Sequence, residues 1–170
     1  MLGFLFRRLT ADPNRGAALF AAATAEARQP HWFVEGKVPD TIDGRFAMLA
    51  TVLALVMVRL EQEGDPGNIA SVALTERFIE VMESEHRQLG LGDPTLGKHV
   101  RKLVGSLAGR VELWRAAAGK ESNRLEAARK SVYKGRVSPD ALRHTAEAVD
   151  ELWTRLRRVP LATLNQGRLD

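Results

Sequence analysis

Apolar residues along this chain recur at the three- and four-residue spacing of an α-helix, and the alternation typical of β-strands is nearly absent. The spacing predicts helices over residues 68–89 and 94–118, and an alanine-rich stretch predicts an earlier helix over 15–28. Residues 44–63 are apolar on almost every side. A helix of that kind belongs at the centre of a bundle, surrounded by the others.

Clusters of glycine and proline separate these helices. Residues 64–67 and 90–94 are the two strongest breaks. Two further helices are predicted at 121–133 and 139–157, and Ser138 followed by proline favours the start of the second. We therefore predict an all-α fold, a single-domain bundle of about six to seven helices.

The predicted bundle occupies residues 13–158, with a loop over 31–43 between its first two helices. An N-terminal segment, 1–12, precedes the bundle. Its phenylalanine and arginine residues are compatible with a position close to a membrane. A C-terminal tail, 159–170, follows the bundle. Proline ends the last helix, so we expect the tail to be loose from Leu161 onward.

Local features predict how the helices begin and approach one another. Asp43 is the expected N-cap of the central helix, and Asp93 is the expected cap of the helix over 94–118. Gly105 and Gly109 lie four residues apart in that helix, where each costs roughly 1 kcal/mol relative to alanine. Their spacing predicts a close approach by another helix.

The composition is that of a globular protein, with 45% hydrophobic and 27% charged residues in a chain of 170. The absence of cysteine excludes disulfides, thiolate metal sites and cysteine nucleophiles. The longest apolar run, 46–58, is shorter than the roughly 20 residues that a membrane span needs. At the start of the chain, apolar residues precede Arg7 and Arg8, which is the reverse of the order in a secretory signal.

Charge is distributed unevenly along the chain. Residues 59–95 contain eight acidic and three basic side chains, whereas residues 96–136 contain eleven basic and three acidic ones. With a net charge of +4, this distribution indicates an acidic or anionic partner. Lys98, Arg101 and Lys102 share one face of a predicted helix. A nucleic-acid-binding module that uses 96–136 is the alternative function, although aromatic residues that could stack on bases are scarce.

No arrangement of residues predicts catalysis or a bound metal. None of the four histidines forms the helical spacing of a zinc site with another. Residues 90–98 resemble a phosphate-binding loop only superficially, because His99 follows where serine or threonine is needed. We therefore expect no enzyme activity, no catalytic residue, no metal and no cofactor. A heme carrier with His86 and His99 as ligands is the remaining alternative of that kind.

Several segments nevertheless resemble one protein family in their order and spacing. The sequence DGRF at 43–46 opens the long apolar helix, and MESEHRQLGLGD at 82–93 continues into LGKHVRKL at 96–103. Gly109-Arg110 and Trp114 follow. These segments are similar to the signatures of the ubiquinol–cytochrome c chaperone family, and the resemblance covers roughly residues 32–156.

The resemblance implies an all-helical domain that assists assembly of the cytochrome bc1 complex, with newly made cytochrome b or another precursor of that complex as its client. No transit segment rich in arginine and serine is evident, which favours a bacterial form. Such a form is expected in the cytoplasm, with transient association at the inner membrane, and we do not expect nucleic acid as a partner.

The resemblance and the charge pattern together predict which residues meet the client. The surface is expected around residues 44–45 and at the junction 93–102. The candidates for client binding are Arg45, Lys98, Arg101 and Lys102. The residues expected to shape the junctions are Asp43, Gly44, Gly92, Asp93 and Gly97.

Overall fold

The structure, a computed structural model, describes residues 16–117 and 121–170. The described residues form eight helices and no strand, which confirms the predicted all-α bundle. The helices are α1 (Ala17–Ala27), α2 (Pro30–Val34), α3 (Ile42–Glu61), α4 (Asp65–Gln88), α5 (Asp93–Ala117), α6 (Glu121–Val132), α7 (Pro139–Leu156) and α8 (Leu161–Asn165). The predicted N-terminal segment, 1–12, lies outside the described residues.

Helix α3 is the centre of the bundle, as its apolar sequence predicted. Each residue from 50 to 60 is buried, and the helix contacts α1, α4, α5, α6 and α7. No helix among the described residues is long and apolar enough to cross a membrane. The apolar side chains of α3 lie in the core, whose largest fully buried side chains include Trp32, Phe78 and Met48.

A chain of buried hydrogen bonds links α3, α5 and the end of α6. Thr51 Oγ1 donates to the Ala47 carbonyl at 2.7 Å, so its oxygen accepts the proton of Ser131 Oγ at 2.6 Å. Ser131 Oγ in turn accepts from Trp114 Nε1 at 3.0 Å. Both buried hydroxyls, of Thr51 and Ser131, therefore have hydrogen-bond partners, and these bonds fix the position of Ser131 against the core.

The C-terminal tail is packed, so the prediction that it is loose from Leu161 is wrong. Residues Leu161–Asn165 form α8, which contacts α1. Leu164 is completely buried, and Leu169 is also buried. The helix is one turn long, too short for an apolar period to be visible in the sequence, but its leucines still reach the core.

The central helix begins at a different cap from the one predicted. Thr41 is the N-cap, and its side chain accepts a hydrogen bond from the Gly44 amide at 3.2 Å. Asp43 instead lies in the first turn, where a negative charge is favourable. At the start of α7, Ser138 is the N-cap as predicted, with its hydroxyl 3.3 Å from the Ala141 amide.

The prediction of a close helix approach at Gly105 and Gly109 is wrong. A Cβ atom added at either position would have no neighbour within 4 Å, and both residues are exposed. Close backbone approaches occur at other glycines, among them Gly44 and Gly67, where an added Cβ would lie 1.9 Å from the Pro39 carbonyl oxygen and 1.8 Å from the Leu60 carbonyl oxygen, respectively. Glycine spacing alone does not reveal which face of a helix is covered.

Two histidines from separate helices meet beside Trp32. Nδ1 of His31 on α2 lies 3.2 Å from Nε2 of His144 on α7, so one ring donates to the other and at least one is neutral. Burial lowers the pKa of His31, His144 lowers it further, and Glu26, Glu35 and Glu151 partly oppose the shift.

This pair predicts a loss of stability in mild acid. The pKa of His31 in the folded protein lies below its unfolded value of 6.5. The contribution of neutral His31 to the free energy of unfolding is therefore fully present above pH 6.5, and it is lost as the pH falls through the folded pKa. We expect His31→Asn to destabilise the protein less at pH 5.5 than at pH 8. Thermal unfolding of both proteins across that range measures the difference, and parallel curves would contradict the assignment.

Candidate functional site

A cleft of about 400 Å³ lies between α1, the start of α3, the end of α4 and α5. Its lining residues are Thr24, Ala27, Arg28, Ile42, Asp43, Arg45, Phe46, Ala47, Leu49, Met82, Glu85, His86, His99, Lys102, Leu103, Ser106, Arg110 and Lys134. The cleft thus combines residues from both halves of the chain that the sequence keeps far apart.

The apolar lining of the cleft lies close to an exposed aliphatic side chain. Phe46, Leu49 and Leu103 are partly buried and pack against the core. Ile42, in the first turn of α3, also lines the cleft, yet it is 74% exposed. Ile42 thereby extends the apolar surface of the cleft towards solvent.

Cations stand at the edge of the cleft, and two of them are held in place by carboxylates. Arg45 Nε lies 2.6 Å from Asp40 Oδ1, and this contact lowers the pKa of Asp40 and raises that of Arg45. Lys134 Nζ lies 2.8 Å from Asp43 Oδ2, and its hydrogen bond lowers the pKa of Asp43. The charge of Lys102, which lies on α5 and lines the same cleft, also helps to lower the pKa of Asp43. Lys102 is exposed, so its ammonium group is accessible to a partner.

Arg110 is the most buried cation of the cleft. Its Nε donates to the Ser131 carbonyl at 3.0 Å, and its Nη1 donates to the carbonyl and the hydroxyl of Ser106 at 3.1 and 2.5 Å. The guanidinium carbon lies 5.8 Å from the centre of the Phe46 ring. Burial lowers the pKa of Arg110, as expected for a charge that no carboxylate among the described residues balances.

Two histidines also line the cleft. The ring centres of His86 and His99 are 4.4 Å apart. His86 Nδ1 lies 2.7 Å from the Met82 carbonyl, to which it donates a hydrogen bond. No group of three or more metal-ligating side chains occurs among residues 16–117 and 121–170.

The structure brings some of the predicted site residues together and leaves others apart. Arg45, Asp43 and Lys102 line the same cleft, although Arg45 and Lys102 lie on different helices. Lys98 and Arg101 are exposed on α5, outside the lining of the cleft. Lys98, Arg101 and Lys102 thus form one charged strip on α5, and only Lys102, at its C-terminal end, lines the cleft.

The predicted junction residues at the α4–α5 break do not line the cleft. Gly92, Asp93 and Gly97 are absent from its lining, and an added Cβ at either glycine would meet nothing within 4 Å. The conformation that requires glycine is found at Gly90, with a φ of +87°. Its amide donates to the Arg87 carbonyl at 3.0 Å and ends α4 in a left-handed turn.

Gly44 does determine the shape of the cleft edge. Because its Cα lies so close to the Pro39 carbonyl, the segment before α3 folds tightly over the first turn of that helix. This packing places Asp40 where it can hold Arg45, and the guanidinium of Arg45 lies 5.9 Å from the ring of Phe33.

Folding pairs part of the basic run over 96–136 with carboxylates. Arg115 pairs with Glu61 and Glu112, Arg124 pairs with Asp150, and Arg129 and Lys130 pair with Glu126. The hydrogen bond from Arg129 lowers the pKa of Glu126 to about 2. Five of the eleven basic residues in 96–136 thus have a carboxylate partner among the described residues, which leaves fewer free cations for the phosphate contacts of the nucleic-acid alternative.

Sequence reasoning missed Ile42, Phe46 and Arg110 as members of one site. Phe46 and Arg110 were noted only as parts of family segments. The signal at Ile42 in the sequence was an isoleucine directly after Thr41, at the start of the helix. This signal indicates a site only when the neighbouring surface is known. Only the fold shows that these three residues share a cleft.

The fold is thus an all-helical bundle with a cleft that apolar and basic side chains line together. Comparison with known proteins assigns it more narrowly. The sequence profile of the family described as ubiquinol-cytochrome C chaperone matches residues 34–170. The chain belongs to that family, and its general function is that of a chaperone in the assembly of ubiquinol–cytochrome c reductase, the cytochrome bc1 complex.

A solved structure of similar fold supports the assignment. The chain matches the crystal structure of the Cbp3 homolog from Brucella abortus with a TM-score of 0.75 and 26% sequence identity. The match covers 98% of this chain and 94% of that one. No curated protein shows a significant match to the chain.

Proposed function

We propose that the chain binds newly made cytochrome b, or another precursor of the cytochrome bc1 complex, and that the client docks in the cleft between α1, α3, α4 and α5. The observation that carries this proposal is the mixed lining of the cleft, where Phe46, Leu49 and Leu103 lie beside Arg45 and Lys102. The family assignment supports a precursor of this complex as the client.

The two kinds of surface have separate tasks in this proposal. Free cations such as Lys98, Arg101 and Lys102 speed the encounter with an acidic client segment, and salt weakens this effect. The apolar lining then holds side chains that the client later buries in the membrane or in the finished complex. Binding of this kind requires no catalytic group, in keeping with a chaperone rather than an enzyme.

We further propose that the encounter takes place in the cytoplasm, at the face of the inner membrane. A chaperone must bind a membrane-protein client before or during insertion of the client into the membrane. A basic surface is suited to that position, because the cytoplasmic leaflet carries anionic lipids and attracts cations within about one Debye length.

Charge reversal tests the proposed surface. In Lys98→Glu/Arg101→Glu/Lys102→Glu, we expect unchanged folding, because all three side chains are exposed. Co-purification of cytochrome b from native membranes is expected to fall about tenfold or more, since each reversal replaces attraction by repulsion. Lys102→Glu alone should account for most of the loss, because it is the member of the strip that lines the cleft.

The matched control carries the same change in charge away from the cleft. Arg157, Arg158 and Arg168 are exposed, form no ion pair with a described residue and do not line the cleft. Their reversal to glutamate should leave capture of cytochrome b intact. Unchanged capture by the first triple variant would show that the proposed surface is wrong.

A further inference from the structure

Arg110 lacks the anionic partner that Arg115 on the same helix and Arg124 on α6 possess. Arg115 and Arg124 each contact carboxylates within the chain. Arg110 is more buried than Arg115 but contacts only carbonyl oxygens and one hydroxyl among the described residues. A guanidinium removed from water without a counter-ion is costly, and an incoming anion would offset that cost.

The guanidinium is held rigidly in one orientation. The Ser131 carbonyl and both oxygens of Ser106 fix Nε and Nη1, and the Phe46 ring lies beside the guanidinium carbon. Nη2 makes no hydrogen bond to a described residue, and Arg110 lines the cleft. A donor fixed in this way binds an anion without losing side-chain freedom.

The surroundings of Arg110 specify the kind of anion. Phe46, Leu49 and Leu103 provide apolar surface in the same cleft, while Asp43 and Glu85 lie among its other lining residues. These two carboxylates disfavour a strongly charged phosphate group. A single carboxylate on an otherwise apolar segment suits the cleft better, since it places one negative charge among several cations.

We propose that Arg110 anchors one aspartate or glutamate side chain of an otherwise apolar client segment, with Lys102 adding attraction two helical turns earlier on α5. The inference rests on the proposed function, because it takes the occupant of the cleft to be a protein client. It adds the chemistry by which a segment is selected: one carboxylate flanked by apolar side chains.

Two designed peptides provide a direct test. Both are leucine-rich, labelled with fluorescein and identical except for a central glutamate or glutamine. Fluorescence anisotropy with the full chain is expected to give about tenfold tighter binding of the glutamate peptide, the effect of one charge-assisted hydrogen-bonded contact. The preference should weaken as salt rises.

The variants separate the anchor from a general loss of structure. Arg110→Lys keeps the positive charge but loses the fixed guanidinium fork, so we expect the preference for glutamate to fall to about twofold. Lys102→Gln, at an exposed position, should weaken binding of the glutamate peptide more than that of the glutamine peptide, and so reduce the preference. Arg158→Gln, outside the cleft, should preserve the full preference, and circular dichroism confirms folding of each variant.

The outcomes distinguish this inference from the proposed function. Equal binding of the two peptides to the unaltered protein would overturn the carboxylate anchor, even if cytochrome b still co-purifies. Binding of phosphatidylglycerol vesicles that depends on Arg110, without discrimination between the peptides, would overturn it in favour of a lipid headgroup. Discrimination between the peptides without capture of cytochrome b would support the anchor and contradict the proposed client.

Discussion

Replacement of Arg59 by methionine is expected to lower the free energy of unfolding by about 3 kcal/mol. A loss of that size is typical when a buried charged donor is removed from the groups that it hydrogen-bonds. Arg59 is only 5% exposed. Its Nε donates to the Leu156 carbonyl at 2.9 Å, and its Nη2 donates to the Val159 carbonyl at 2.8 Å and contacts Glu63 at 2.6 Å. Methionine fills the space but leaves all three acceptors without their donor.

Thermal unfolding measures this effect. For a domain of this length, a loss of about 3 kcal/mol corresponds to a fall in Tm of about 6–12 °C. Arg77→Met is the matched control, because Arg77 pairs with Glu80 on the exposed face of one helix. Exposed pairs of this kind contribute less than about 1 kcal/mol. Equal Tm values for the two variants would contradict the structural role assigned to Arg59.

Gly44→Ala is expected to destabilise the protein by about 2–3 kcal/mol and to impair the cleft as well. The new methyl group would lie 1.9 Å from the Pro39 carbonyl oxygen and 2.9 Å from the Pro39 carbonyl carbon. Both are backbone atoms, so no side-chain rotation relieves the clash. The segment before α3 must move, and Arg45 loses the fixed position that Asp40 gives it.

Gly105→Ala is the matched control for this substitution, and it should change stability in the opposite direction. A Cβ at this exposed helical position meets nothing within 4 Å, so alanine should stabilise the helix by up to about 1 kcal/mol. Chemical denaturation gives both free energies, and co-purification of cytochrome b reports on the cleft. A Gly44→Ala protein as stable as the unaltered one would show that residues 39–41 are not packed against α3 as described.

The long helices could be predicted because each supplies several turns of apolar pattern. Helix α3 was predictable even as the central element, since only a helix covered on all sides can be apolar all round. The five-residue helices α2 and α8 were not predictable, because one turn of helix contains no repeat. Leu164 belongs to the core through its tertiary contacts, which no local pattern encodes.

The site could be predicted only in part. The charge pattern and the family segments indicated Arg45 and Lys102, and the cleft contains both. They did not indicate Arg110 as part of the same site, because its distinguishing property is burial without a carboxylate. The charge count along the sequence was also incomplete in one respect, since a count of basic residues does not show that folding pairs Arg115 and Arg129 with carboxylates.

The position of Ser131 couples the cleft to the local opening of α6. Its hydroxyl belongs to the buried chain of Trp114 and Thr51, while its carbonyl orients Arg110. A local opening of the end of α6 would therefore remove a support of Arg110 at the same moment as it breaks the buried chain. By thermodynamic linkage, a ligand that binds Arg110 only while the Ser131 carbonyl holds it also stabilises α6 against opening. Binding in the cleft therefore changes the stability of a helix on which no cleft-lining residue lies.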